Sequence, residues 1–581
     1  MKKLILLFAL ITMALCASAK EYNVLDYGAV GDKETDCTEA FQKAIDDCYE
    51  HKGGIVFVPT GEYMVKGCLE VKDGVMLKGT YEAPPTNDRS NKPDAAGNMK
   101  GSIIAAYGGK NDPDGPAFLN LTGNNSGVQG FIIHYPEWSQ KTVPPIPYSP
   151  CIGSKGGSNH SVKNVNLLNA YVGISFYACD RMTIDGIHGY PIKTGIRIDL
   201  CGDICRIENC HFWPFNMWYS TEDPYCVWIN KHGIAFDFGR TDWQSVMNTF
   251  CFGYGTGYHF ANYGTGGSNG SFVGIGADSC TNAVVVEDIH PMGLAITNGE
   301  FVGRWNSRDS SQVVVKNKAA GKVSLLNCAF WGPNTTCIRC DSDKARLSVI
   351  GCTFESWDVS GEKQGAITLN RGVGIINSNT FADNTRHIVI GKQAKGAVIT
   401  GNYSENCLSV LNGIGKLAKI ADNIPEPYDF TRENYANYNL KFNGEKDKQY
   451  ISGFIYAEPT RGGSRWSSEG ATIELPGNPG ETYTVSFRVD VVEQALMEGA
   501  GIYVGDKNLM PFTKEGSFVF KNKVKMPKEG KIGFTVRCKT WVPHEMDETN
   551  QDRRVLGVAF MEANMVSNPK AKTFSLNTLS Y

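Results

Sequence analysis

The sequence predicts an all-β chain: a parallel β-helix (a solenoid of stacked coils) with an N-terminal helical cap, followed by a C-terminal antiparallel β-sandwich. Three observations carry this. A six-residue pattern recurs between residues 207 and 404 at a spacing too short for a helix-containing repeat. The 581 residues include 64 glycines with no Gly-X-Y period, which points to many tight turns. Beyond residue 428 the pattern gives way to alternating apolar and polar runs set between Pro and Gly turns. Apolar residues make up 42% and charged ones 20%, enough to build cores and too apolar for wholesale disorder.

Residues 1–19 read as a secretory signal. Lys2 and Lys3 precede the apolar run 4–15, and Ala17-Ser18-Ala19 offers a small-residue cleavage site. Leu15 before Cys16 is too large for the usual lipidation motif. No other stretch approaches the ~18 apolar residues of a membrane span. The chain is therefore expected to be exported, to the periplasm or the extracellular medium, without a membrane span. Losing two lysines makes the formal charge of −3 more negative, and no basic run is interleaved with aromatics, which argues against nucleic acid. One of the 18 cysteines leaves with the signal, so at least one of the remainder is unpaired. Cys337-Ile338-Arg339-Cys340 has no companion motif with which to hold zinc.

Asp36-Cys37-Thr38-Glu39 has the form of a capping box, and Phe41, Ala44, Ile45 and Cys48 follow at helical spacing. A short amphipathic helix here would cover the first coil. Ile55-Val56-Phe57-Val58 and Val75-Met76-Leu77 are the next strands.

The repeat runs apolar, any, Asn/Gly/Ser, Cys/Gly/Asn, any, then usually Phe. Its clearest members begin at Ile207, Ile296, Leu325, Val349, Ile376 and Ile399, with weaker ones at Val246 and Phe272. Val162/Val165 and Ile184/Ile187 begin two similar turns upstream. Most steps are roughly 23–29 residues, as expected of coils of short parallel strands stacking at about 4.8 Å. Phe212, Phe301, Phe330, Phe354 and Phe381 would then stack inside. Asn209, Asn298 and Asn327 would bond to one another and to turn backbone where the coil bends. Cys210, Cys328 and Cys352 would be small inward packing residues.

The N-terminal motifs carry a resemblance. Tyr22-Asn23-Val24-Leu25-Asp26-Tyr27-Gly28-Ala29-Val30-Gly31-Asp32, Ala40-Phe41-Gln42-Lys43-Ala44-Ile45 and Gly53-Gly54-Ile55-Val56-Phe57-Val58-Pro59 resemble the opening of the pectate-lyase/polygalacturonase superfamily. The resemblance implies a right-handed parallel β-helix, extended by the repeats to about residue 424, acting on polysaccharide. It transfers no catalytic residue: Asn-x-Asp, Asp-Asp, Gly-His-Gly and Arg-Ile-Lys motifs are missing, and Ile187-His188-Gly189 and Arg197-Ile198-Asp199 are partial echoes.

Around Pro425-Glu426-Pro427 the pattern changes. Runs such as 482–489 and 532–536 read as a β-sandwich spanning 428–581, resembling secreted carbohydrate-binding modules, with Trp466 and Trp541 able to stack on sugars or to pack internally.

The ladder also predicts a site. Positions five and seven of the repeat face outward, which sets Asp278 and Glu300 on consecutive coils. Their Cα atoms are expected on the order of 6–9 Å apart, a separation suited to the paired carboxylates of glycoside hydrolysis. Proximity raises one pKa and keeps that group protonated as the acid. Around them, His211, Trp213, Trp243 and Trp331, with Trp218, Tyr219, Tyr225, Trp228 and Trp357, are candidate sugar platforms. Asp237 and Asp242 are rival acids, Arg240 and Arg304 candidate anion contacts, and Glu355 a neighbouring subsite.

These residues favour an exported glycoside hydrolase acting on a complex, plant-type polysaccharide or its oligosaccharides, with no cofactor. A polysaccharide lyase using His211, Tyr219, Arg240 or Arg304, with calcium as a possible cofactor, is the alternative. A non-catalytic glycan-binding protein is a third. The chain is expected to be a monomer or a homotrimer with a carbohydrate ligand.

Overall fold

An amphipathic helix and a column of left-handed turns set the architecture of this computed structural model. It describes residues 21–578 apart from 83–98, 216, 305–309, 360–363, 383–385, 406–407, 425–436, 445, 459–462, 478–479 and 570–572. The expected signal (1–19) and the Pro425-Glu426-Pro427 boundary lie outside the described residues. Two compact units emerge: residues up to Cys251 with Tyr263–Gly266, and Phe252–Asn262 with the chain from Gly267 onward.

In the first unit, helix α1 (Thr38–Glu50) buries Ala40, Phe41, Ala44, Ile45 and Cys48, the face its spacing predicts. The expected capping box is not formed. Cys37 occupies the N-cap without a side-chain bond, while Asp36 Oδ1 accepts from the Thr38 backbone N–H (3.0 Å). Gly54–Phe57, Gly61–Val65 and Leu69–Val71 make one coil of three strands. Each pairs in parallel with its counterpart in the next coil: Val75–Lys78, Ser102–Ala106 and Leu119–Leu121. Val162 and Val165 register with Ile184 and Ile187, and Ile184 with Ile207.

The second unit repeats this plan. Phe272 pairs with Ile296, Leu294 with Val323, and Val323 with Leu347, so the weak coil at Phe272 keeps the predicted register. Phe301, Phe330, Phe354 and Phe381 stack at centroid spacings of 5.3, 4.9 and 5.0 Å. Phe212, in the first unit, stacks instead on Phe236 (5.1 Å).

Two columns of the repeat explain its composition. At position three the backbone is left-handed: φ is 54° at Asn209, 55° at Asn298, 54° at Asn327, 67° at Gly351 and 57° at Ser378. Asn and Gly tolerate that region best, hence the consensus. Asn327 Nδ2 also donates to Asn298 Oδ1 (2.8 Å), the side-chain stacking expected, whereas Asn209 Nδ2 bonds Asp185 (2.8 Å). At position four Asn379, Asn402 and Asn423 are buried rungs. The Asn402 carboxamide oxygen accepts the Asn379 backbone N–H (3.1 Å), and its Nδ2 donates to the Ile376 carbonyl (3.0 Å). Cys352 and Cys328 continue the same rungs: Cys328 N–H meets Cys352 Sγ (3.4 Å), and Cys352 Sγ faces the Leu325 carbonyl (3.5 Å).

From Asn437 onward ten strands form two layers that share the long strand Arg465–Pro476, antiparallel except where Asn437–Lys441 meets Thr573–Ser575. Thr482–Val491 alternates strictly, burying Tyr483, Val485, Phe487, Val489 and Val491 in their common core. No helix among the described residues is long and apolar enough to cross a membrane.

Candidate active site

In the second unit, parallel pairing aligns Gly276 with Glu300 and Ala277 with Phe301. Asp278, at the end of strand Gly276–Asp278, therefore lies one coil from Glu300 and two positions along, both pointing away from the Ala277/Phe301 core. The two carboxylates sit in unequal surroundings. Asp278 is half-buried, and its carboxyl is pushed up to about 6, first by that burial and then by the negative charge of Glu300. Glu300 is exposed, and its Oε1 accepts a bond from Trp331 Nε1 (2.9 Å) one coil further on. A half-buried acid beside an exposed, hydrogen-bonded carboxylate can hold one proton on the first and one charge on the second.

Arg304 follows strand Glu300–Val302 and folds back over the turn beyond Asp278, where its Nη1 donates to Thr281 Oγ1 (3.4 Å). Trp331 is 39% exposed beside Glu300. Glu355 stands exposed two coils beyond Glu300, its backbone N–H bonded to the Phe330 carbonyl (2.9 Å). Trp357 is no platform. It is fully buried against Phe381 and His387, with Nε1 donating to the Arg386 carbonyl (2.7 Å).

In the first unit the insertion 213–233 leaves from the end of strand His211–Phe212. It contains an unpredicted helix, α2 (Pro224–His232), capped by Asp223, whose Oδ1 accepts from the Tyr225 and Cys226 N–H groups. The aromatics divide by burial. Tyr225 is core, bonded by Trp138 Nε1 (2.7 Å), and Trp228 is half-buried under Lys193. Trp218 is exposed and Trp243 is 74% exposed. His211 is enclosed by His188, Trp213, Phe215 and Phe250. Burial, then His211, pushes His188 below the usual imidazole range.

A polar cluster that the repeat analysis missed lies one strand further round. Arg197 and Asp237 are register partners on strands Thr194–Asp199 and Ile234–Phe238. Asp237, only 2% exposed, accepts from the Tyr263 hydroxyl at 2.7 and 2.8 Å. The Arg197 guanidinium covers the Tyr263 ring at 4.0 Å, with Nε 3.8 Å from Asp237 Oδ2. Aligning the third strand of each coil, rather than the six-residue pattern alone, pairs Arg197 with Asp237 from sequence. Arg240 is not the open anion contact expected: its Nη2 already binds Asp242 Oδ2 (2.7 Å), so neither stands as an isolated charge. Among the described residues no group of three His, Cys, Asp or Glu is gathered as for a metal ion.

Comparison with known proteins supports the superfamily. Residues 22–213 match the family model "Rhamnogalacturonase A/epimerase, pectate lyase-like", which places that segment in the pectate-lyase-like β-helix superfamily. The chain is 36% identical over 117 residues to mannuronan C5-epimerase AlgE4 of Azotobacter vinelandii, covering 19% of this chain and 21% of the relative. It is 50% identical over 58 residues to the probable rhamnogalacturonase A of Aspergillus oryzae, covering 10% and 12%. The chain thus spans about a fifth or less of the length of these curated relatives. Among solved structures, the A-module of Azotobacter vinelandii AlgE6 aligns with 66% of this chain and 99% of its own, at 15% identity and a TM-score of 0.42.

Proposed function

We propose that this protein is an exported polysaccharide-active enzyme, and that the second unit carries a glycoside hydrolase site built on Asp278 and Glu300. The observation that carries the reading is the unequal carboxylate pair on consecutive coils, one acid raised to about 6 and one exposed. Asp278 keeps its proton in weakly acidic medium and delivers it to the glycosidic oxygen as the bond breaks. Glu300, held by Trp331, attacks the anomeric carbon or draws a proton from water that does so. Trp331 lines the approach with an aromatic face for a pyranose ring. Relatives named for action on mannuronan and rhamnogalacturonan support the substrate class.

A second reading, β-elimination or epimerisation of a uronate, is favoured by the Arg197–Tyr263–Asp237 cluster. There the guanidinium would hold the uronate carboxylate and the Tyr263 phenol would face the carbon acid. The calcium expected with a lyase finds no gathered set of ligands among the described residues, and no step of this reading runs through it.

The test is mass spectrometry of products released from a glycan panel in oxygen-18 water. Heavy oxygen at the new reducing end, with Asp278→Asn lowering kcat about 10²–10⁴-fold, is the expected result. Unlabelled, unsaturated uronate ends would overturn the carboxylate pair and transfer the chemistry to Tyr263.

A further inference from the structure

Sugar stacking by Trp466 is closed by the structure, and Trp541 is partly buried. Trp466 is buried and packs edge-on against Trp541 (5.8 Å), whose Nε1 donates to the Gly557 carbonyl (3.2 Å). The solvent face of the same sandwich is built differently. Strand Gly516–Lys525 pairs only with Thr482–Val491, and its alternate residues Lys521, Lys523 and Lys525 are all exposed. On an extended strand they repeat about every 6.8 Å on one face. Directly opposite stand Ser486, Thr484 and Thr482. The Lys521–Ser486 row continues through Asn564 to Asn439, whose Nδ2 donates to Asn564 Oδ1 (2.8 Å).

Of the carboxylates on this face, Asp490 lies at the far end and accepts from the Ser517 hydroxyl, while Glu562 stands in the row next to Asn564, opposite Arg488 and Lys441, and accepts from Asn439 (2.6 Å). None of the three lysines makes an ion pair among the described residues. The result is a flat strip with unneutralised positive charge along one edge and hydroxyl and amide groups beside it.

We infer that this face binds an anionic glycan, the lysine row pairing with its carboxylates or sulfates and the Ser, Thr and Asn rows with its hydroxyls. The inference rests on the reading that the ligand is a polysaccharide, but not on which bond is cleaved. Lysines on an edge strand also discourage edge-to-edge pairing. That role requires no continuation into a hydroxyl and amide row across three further strands. Nucleic acid fits less well, because no exposed aromatic stands in these rows to stack a base.

The test is affinity electrophoresis of the full chain carrying Asp278→Asn, in native gels containing polygalacturonate, dextran sulfate or neutral dextran. Retardation by one or both anionic polymers, suppressed by salt and absent on dextran, is expected, and the stronger polymer identifies carboxylate or sulfate. Lys521→Gln/Lys523→Gln/Lys525→Gln should weaken it about tenfold or more, while the triple arginine variant retains it. Thermal unfolding and sedimentation of the glutamine variant check that it is folded and monodisperse. Equal retardation of that variant, equal retardation by dextran, or retardation by duplex DNA at least as strong would overturn the inference. A variant that self-associates without losing binding would reduce the lysines to edge protection. Oligomers released in the gel would instead indict the Asp278 assignment and leave the binding result standing.

Discussion

At the scale of single residues, Asp278 is where function and stability oppose each other. Its carboxyl titrates near 3.8 when free and about 6 in the fold, so the folded state binds the extra proton between those values. Stability therefore falls as pH rises from about 4 to about 6 and stays lower above that, the reverse of a salt-bridged carboxylate. A shift of that size corresponds to roughly 2–3 kcal/mol at most. Asp278→Asn should accordingly melt higher than the native protein at pH 7.5 and equally at pH 4 or below, while losing activity. A melting difference independent of pH would sink the assignment of a raised pKa. Activity should share the same ionisation, with kcat/KM declining above about pH 6 as the acid deprotonates, and the Asn variant should lose that limb. The sequence exposed this pair because position in a coil fixes which side chains are neighbours. It did not expose the larger cause of the shift, which is burial.

At the scale of elements, the coil is held by its columns more than by any one strand. Asn402→Ala would strip the acceptor from the Asn379 N–H and the donor from the Ile376 carbonyl, both buried. Each orphaned group costs about 1–3 kcal/mol. Cys352→Asn should be tolerated in comparison, since Asn fills the same rung in the following coils and the Cys352 thiol already imitates its bonds. Urea midpoints of the two variants check this; a Cys352→Asn variant as damaged as Asn402→Ala would show that the thiol is there for volume alone. The six-residue pattern was readable because its left-handed turn admits few residue types and its core position wants Phe. Helix α2 was missed although Asp223 before it, Pro224 at its first position and Gly233 after it are start and stop signals. Its nine residues are too few, and too aromatic, to show a helical period. Trp357 likewise looked like a platform only because column position says nothing about which loop covers it.

At the scale of the whole molecule, the cysteines decide what kind of stability this is. Sixteen cysteines lie among the described residues, and all but Cys68 are buried. Several do the work of rungs or core, and burial pushes Cys201 and Cys340 up to about 11 and Cys151, Cys210 and Cys226 up to about 12. A thiol so placed holds little thiolate and meets no oxidant while the coils are closed. A solenoid distributes its stability over neighbouring rungs, so cross-links are not required to hold it. The native protein should therefore react with a thiol reagent in a fast phase that Cys68→Ser removes, with the other described cysteines reacting only as fast as the chain opens. Reductant should leave the melting temperature where it is. A melting temperature lowered by several degrees in reductant would mean that neighbouring thiols are joined, and the hydrogen-bonded rung at Cys328 and Cys352 would be the first place to look.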